Sequence, residues 1–250
     1  MSRVEGELRV LLDGRASGAV NMATDEAILQ AVNTGEAGAT LRVYGWSEPT
    51  VSLGYFQAYA DYEAQEGVRG LAVVRRQTGG GAILHDDEVT YSLVVPREEE
   101  RWDIEGLYRL VHDAAAEVLA GRGAALAYRG GQDDGNSQRG PFFCFSRRHR
   151  LDMTIGGAKV LGSAQRRLRR AVLQHGSLIL GDSVAGQGGT SLRATGVGTI
   201  ETGQFGPALA KAVAARLGLE PRQGELGAPE QNRLGALEEK YKGPAWTRLR

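Results

Sequence analysis

Three consecutive glycines, Gly79, Gly80 and Gly81, follow directly on the apolar-basic stretch Leu71 to Arg76 and run into Ala82-Ile83-Leu84-His85. Glycine loses more backbone freedom on folding than any other residue, so a triplet weakens the fold wherever it sits. What the triplet offers in return is close, unobstructed backbone approach, with N–H donors exposed to a ligand. Arg75 and Arg76 add fixed positive charge suited to a carboxylate or phosphate. A glycine-rich hairpin turn is the alternative. Neither a Walker A spacing nor a dinucleotide-binding glycine fingerprint is present at this loop.

The bulk properties narrow the classes. Thirty basic residues balance thirty acidic ones, so no global field points to nucleic acid or an anionic membrane. The distribution is uneven: Arg147, Arg148, Arg150, Arg166, Arg167, Arg169 and Arg170 lie close together, either as a solvated surface or as a docking face for an acidic partner. Cys144 is the single cysteine, so an intrachain disulfide is impossible and a reducing cytoplasm is the expected compartment. No apolar run approaches membrane-spanning length, and the N-terminus lacks a signal-peptide pattern. Glycine is abundant, with clusters at 79–81, 130–131, 156–157 and 186–189 that form no repeat.

Apolar spacing predicts helices over Asn21 to Val32, Ile104 to Ala120, Phe205 to Leu217 and Pro229 to Tyr241, with Asn21 as the first N-cap. Strands are expected over Thr40 to Trp46 and Thr50 to Phe56, joined by a Ser-Glu-Pro turn, then over Ala72 to Arg76 and Glu88 to Val95. Further strands follow at Leu151 to Ile155, Ala158 to Leu161 and Val172 to Leu180, the first two closed by Gly156-Gly157 as a tight hairpin. Residues 130 to 140 read as a polar loop. Strands and helices mix without βαβ alternation, which predicts an α+β fold on a mixed, mostly antiparallel sheet with flanking helices. No linker divides the chain, so residues 1–250 read as one domain.

Few residues offer chemistry. Cys144 ends the polar loop in Gly140-Pro141-Phe142-Phe143-Cys144-Phe145; it reads either as a small buried hydrophobe or as a nucleophile. A thiolate needs a positive neighbour, and Lys159, set among apolar residues after the glycine hairpin, is the candidate. His85 and His175 read as hydrogen-bonded structural histidines or as site residues. One cysteine with scattered histidines gives no standard metal spacing, so no metal is expected.

Taken together, these segments resemble the lipoate–protein ligase/octanoyltransferase family, a branch of the biotin-ligase superfamily. The matching pieces are Asn21-Met22-Ala23 with Asp25-Glu26, Pro49 to Gln57, and the run from Arg75 to His85. Next come Glu88 with Thr90-Tyr91-Ser92, then Lys159-Val160 with Gly162-Ser163-Ala164-Gln165, and Gln174-His175-Gly176-Ser177. They occur in order from about residue 8 to residue 249, including the tail Lys240-Tyr241 to Trp246. The resemblance implies an α+β biotin/lipoate-ligase-like domain, with its core at about residues 35–220, around an acyl pocket. Arg75, Gly79, Gly80, Gly81 and Ala82 would border the carboxyl or thioester end of the acyl chain, with His85 and His175 in the same substrate-binding set. Backbone N–H groups of Gly79 to Ala82, or of Gly162, Ser163 and Ala164, would stabilise an oxyanion.

Within the family, the single-domain, cysteine-dependent octanoyltransferases of Gram-positive type carry a cysteine about fifteen residues before the Gly-x-Lys-x-x-Gly-Ser-Ala lysine. Cys144 precedes Lys159 by fifteen residues, although the stretch after Cys144 is more basic than the Ala/Pro/Ser run usual there. The resemblance therefore implies an octanoyl-[acyl-carrier-protein]:protein N-octanoyltransferase of lipoate biosynthesis. Its expected catalytic residues are Cys144 and Lys159, with a thioester intermediate and no cofactor. The expected partners are octanoyl acyl carrier protein and the lipoyl domains of 2-oxoacid dehydrogenases or the glycine cleavage H protein, with no nucleic acid and no membrane. The rivals are an ATP- and magnesium-dependent lipoate–protein ligase, an octanoyl amidotransferase between lipoyl-domain proteins, and a non-catalytic acyl-binding protein.

Overall fold

A computed structural model describes residues 6–97, 103–131, 140–181, 187–197, 200 and 202–250. Strand β1 (Glu7–Ala16) and helix α1 (Gly18–Thr34) open the chain, followed by β2 (Thr40–Trp46), β3 (Thr50–Leu53), the short α2 (Tyr59–Glu63) and β4 (Ala72–Arg75). Next come β5 (Ile83–His85), β6 (Glu88–Pro96), α3 (Ile104–Ala120) and β7 (Ala127–Tyr128). A single 3-10 turn at Cys144–Ser146 leads into β8 (Met153–Ile155), β9 (Ala158–Arg167) and β10 (Ala171–Ile179). Helix α4 (Thr202–Leu217), β11 (Glu220–Gln223), α5 (Ala228–Lys242) and α6 (Pro244–Thr247) end it.

Eight strands form one sheet in the order β11-β1-β2-β6-β10-β9-β8-β7, and β4-β3-β5 form a smaller one. In the large sheet β1 runs parallel to β11 and β2, and the other ladders are antiparallel. The expected α+β class with a mixed, mostly antiparallel sheet is therefore what forms. Alternation along the strands sorts side chains to two faces. Val89, Tyr91, Leu93 and Val95 of β6 pack with Leu107, Val111, Leu209 and Val213 of α3 and α4. Val94 and Leu173 instead meet Ile28, Leu29 and Val32 of α1, outside which α5 packs through Leu237 and Tyr241.

Several boundaries differ from expectation, each for a local reason. Helix α1 starts earlier, because Ser17 rather than Asn21 caps it, its hydroxyl accepting from Val20 N. Asn21 is wholly buried and donates to the carbonyls of Ala16 and Gly45, tying the helix to the sheet. β3 stops at Leu53 because Gly54 lies against the glycine loop, where an added Cβ would sit 2.1 Å from Gly80 O. The Ser-Glu-Pro segment after β2 does not close a hairpin: it carries the chain from the large sheet to the small one. Gly156 and Gly157, at φ 57° and 81°, do make the expected tight turn between β8 and β9, but β9 continues to Arg167. β1 and β11 escaped the sequence reading, since β11 (Glu-Pro-Arg-Gln) is an exposed edge strand with no apolar alternation. Leu8 and Val10 of β1 belong to the main hydrophobic core. Residues 132–139 of the expected polar loop, and Gly186, lie outside the described residues.

Candidate active site

The register of the large sheet lines up Gly162 (β9), Ser177 (β10), Thr90 (β6) and Tyr44 (β2) in one row across four strands. All four line one cavity that is open at one end and has an almost wholly apolar surface. Three strand spacings give the row a span of about 14 Å. Met22 of α1 and Ser52, Ile83 and His85 of the small sheet close it from the other side. Partly exposed Cys144, Ser163 and Ala164 mark one end, and buried Met22, Tyr44, Trp46 and Thr90 the other.

The buried end is rigid. Trp46 stacks on His85 with ring centroids 3.8 Å apart, and its Nε1 donates to Thr90 Oγ1 at 2.8 Å. His85 bonds Ser52 Oγ and Glu88 Oε1, each at 2.7 Å, and Thr90 and Ser177 donate to the same carboxylate. Burial raises a carboxyl's pKa, but His85 and the two hydroxyls outweigh it and hold Glu88 below its usual range. His175 sits similarly between Thr78 Oγ1 at 2.7 Å and Asp25 Oδ2 at 3.4 Å. These polar groups satisfy one another, which leaves the cavity an apolar lining.

At the open end, Cys144 is fixed by its backbone. Its N–H donates to Ala82 O and Ala82 N–H to Phe142 O, each at 2.8 Å. Lys159 Nζ lies 3.7 Å from Cys144 Sγ, 3.3 Å from Cys144 O and 2.8 Å from Asp152 Oδ1. Those three acceptors match the three N–H donors of an ammonium. Lys159 is 2 % exposed and Asp152 3 %. Burial pushes the lysine toward neutrality, but the facing Cys144 and Asp152 more than offset it and raise its pKa. Gly162 makes room for the lysine, since an added Cβ would fall 2.4 Å from Lys159 Cε.

The fold thus brings Cys144, Lys159, Gly162, Ser163, Ala164, His85 and His175 to one cavity and its mouth. Gly80 borders the sulfur, an added Cβ standing 4.0 Å from Sγ, while Gly81 must be small because a Cβ would meet Cys144 N at 2.7 Å. Gly79 faces Phe56 instead, with its carbonyl bound by Arg76. Two expectations fail. Arg75 does not face an acyl group: its guanidinium is wholly buried against the carbonyls of Gly54, Tyr55, Gln57, Trp246 and Thr247. Ala82 cannot supply an oxyanion donor, because its N–H is committed to Phe142. Arg76 is the arginine lining the cavity, and burial lowers its pKa to about 10. Its donors serve Ser52, Thr78, Gly79 and Gly81, so it braces the glycine loop.

The sequence reading missed Asp152, His112 and Tyr108. Ser163 Oγ bonds His112 Nε2 and Tyr91 Oη, each at 2.7 Å, while Tyr108 Oη donates to Ser163 O at 2.8 Å. Burial drives the His112 pKa down to about 3, so the ring is neutral. Asp152 carried a readable signal, a carboxylate between Leu151 and Met153 at a strand start; His112 and Tyr108 lay within an ordinary helical pattern. Among the described residues no cluster of metal-binding side chains occurs, and no helix is long and apolar enough to cross a membrane.

The family profile described as "Lipoyl protein ligase A/B catalytic domain" matches residues 17–185, which include every residue of the cavity. The chain belongs to this family. Relatives named octanoyltransferase LipM are similar to it. The one from Moorella thermoacetica is 45% identical over 177 residues, covering 69% of this chain and 64% of the relative. The one from Kyrpidia tusciae is 34% identical over 267 residues, covering 95% and 97%. Among solved structures, a T. acidophilum protein with bound lipoic acid superposes with a TM-score of 0.78 at 23% identity, covering 98% of this chain and all of that one. Lipoate-protein ligase A bound with ATP gives 0.73 at 22% identity, covering 98% and 99%. At these identities the neighbours establish the shared lipoate-ligase fold.

Proposed function

We propose that this protein is an octanoyltransferase that moves an octanoyl group from acyl carrier protein to a lipoyl-domain lysine through a thioester on Cys144. The observation that carries the reading is a cysteine sulfur at the mouth of an apolar cavity, with a buried ammonium 3.7 Å away. The names of the relatives supply the acyl group and agree with transfer.

An eight-carbon chain has seven C–C bonds of ~1.5 Å and, foreshortened by its zigzag, reaches about 9 Å. It fits within the row from Gly162 to Tyr44 and stops short of the Trp46–His85 wall. Burying its methylenes contributes about 0.8 kcal/mol each, so holding the chain needs no charged partner. In the first half-reaction Cys144 Sγ attacks the donor thioester, the new C–S bond forms, and the donor thiol leaves with a proton. In the second, a lipoyl-domain amine attacks the acyl-enzyme; its C–N bond forms, the Cys144 C–S bond breaks, and the amine proton passes to the departing sulfur, which returns beside Lys159 as the free thiol. Conversion of a thioester to an amide runs downhill, so the reaction as proposed needs no nucleotide or metal. Arg148, Arg150, Arg169 and Arg170 are exposed and give acidic carrier and lipoyl domains a basic face to dock on. A reducing cytoplasm would keep the lone cysteine competent.

Purified protein offered octanoyl-carrier protein, octanoylated lipoyl-domain protein, or octanoate with ATP and magnesium tests the proposal. Octanoyl mass on Cys144 and transfer to an apo-lipoyl domain are expected from carrier protein, and neither from Cys144→Ser. Labelling only with ATP sinks the proposal in favour of a ligase, and preference for the octanoylated protein makes the enzyme an amidotransferase.

A further inference from the structure

The Cys144–Lys159 pair creates a hazard once the cysteine is acylated. A thioester carbonyl carbon is bonded directly to Sγ, and Lys159 Nζ lies 3.7 Å from that sulfur. Reacting atoms about 3–3.5 Å apart are already at attack distance. A neutral Lys159 amine would therefore be the nearest nucleophile to the intermediate, ahead of any lysine arriving on a partner. Attack would form the Nζ–C bond and break the C–S bond. The amine proton would pass to the departing thiolate, leaving an octanoyl amide on Lys159 and a free Cys144 thiol. The amide is not a thioester, so the enzyme would be dead.

Burial favours that neutral amine. Cys144 and Asp152 offset it in the free enzyme, but an acylated sulfur can carry no charge, so the contribution of the first is lost. The other groups facing the ammonium are the Phe145 ring, 5.1 Å away, and His112, kept neutral by burial. Asp152 is then the anion in contact with Nζ, at 2.8 Å. It is itself fixed: its Oδ2 accepts from His149 N at 2.9 Å, its N–H donates to His149 O, and Arg129 Nε stands 3.9 Å from the same Oδ2. The lysine backbone is pinned as well, its carbonyl accepting from Thr190 N.

We propose that Asp152 is a positioning residue that holds Lys159 as an ammonium throughout the acyl-enzyme stage, and so blocks transfer of the octanoyl group from Cys144 to Lys159. The inference rests on the thioester reading above. Asp152 does nothing to the substrate directly; it withholds the lone pair of a neighbouring amine.

The test loads wild type, Asp152→Asn, Asp152→Glu and Asp152→Asn/Lys159→Arg with octanoyl-carrier protein at pH 7.5. Peptide mass spectrometry before and after neutral hydroxylamine, which cleaves thioesters and spares amides, reads the result. Wild type is expected to carry a hydroxylamine-labile adduct on Cys144. Removing an opposite charge in contact moves a pKa by about 1–3, so Asp152→Asn should build a hydroxylamine-resistant octanoyl amide on Lys159 about ten- to a thousandfold faster. That rate should climb with pH. Asp152→Glu should restore the labile adduct, and the double variant should give no amide, since a guanidinium stays protonated. A merely structural aspartate would lower loading without moving the label to Lys159. A purely labile adduct in Asp152→Asn overturns this inference and leaves the thioester reading intact. Absence of any Cys144 adduct in wild type overturns both.

Discussion

Replacing Gly162 by alanine places a carbon 2.4 Å from Lys159 Cε and 2.7 Å from its Nζ. Carbon atoms rest at about 3.5–4.0 Å, so the lysine tail must move by more than 1 Å. The obstructing atoms are the far end of a flexible side chain, and the backbone need not shift. Overpacking of this kind costs about 1–3 kcal/mol, and each kcal/mol lowers the Tm of a chain this size by about 2–4 °C. Activity should suffer more. Displacing the ammonium breaks its alignment with both Cys144 Sγ and Asp152, and a 1 Å misplacement costs on the order of 100-fold. The assay is the rate of octanoyl loading on Cys144 by mass spectrometry, alongside thermal unfolding. Gly156→Ala is the control: nothing lies within 4 Å of its Cβ, but φ is +57°. It should lose about 1–2 kcal/mol of stability and keep its loading rate. If Gly162→Ala loads Cys144 at the wild-type rate, the placement of Lys159 does not matter and the dyad is wrong.

Other outcomes follow from the same geometry. Acid should destabilise the protein through His112: its pKa falls from 6.5 to about 3 on folding, so the unfolded chain binds the proton first. Stability present above pH 6.5 is then lost by up to about 1.4 kcal/mol per pH unit down to about pH 3; urea titrations at several pH values should steepen this way, and less so in His112→Gln. Trp46→Leu should lengthen the cavity at its closed end, so competition assays should admit longer acyl donors than wild type accepts while the eight-carbon rate stays put; an unchanged upper limit would place the chain elsewhere. Arg75→Met strands five carbonyls and should cost about 3–5 kcal/mol in denaturant unfolding while the donor KM stays put. A raised KM at unchanged stability would restore Arg75 to the substrate.

Much of the fold was legible because local rules governed it. The 3.6-residue spacing of Leu107, Leu110, Val111 and Ala114 marks α3, and Gly156-Gly157 marks a hairpin that does form. Residues outside those rules were missed or misplaced. β11 is held by pairing with β1 alone, so no apolar pattern announces it. Adjacent Arg75 and Arg76 look alike in sequence, but Arg75, the last residue of β4, turns toward the C-terminal segment and Arg76, just past the strand, toward the glycine loop.

From the sequence alone came the α+β class, the glycine loop and the fifteen-residue spacing of Cys144 and Lys159, because each is a matter of local pattern or of a motif shared with a family. Tertiary structure alone decided which charges act. It buried Lys159 against Asp152, committed the donors of Arg75 and Arg76 to backbone carbonyls, and aligned four distant strands into one acyl-sized row. The physical reason is that an ionisable group's behaviour depends on its burial and its neighbours within a few ångströms. Those neighbours come from segments far apart in the chain.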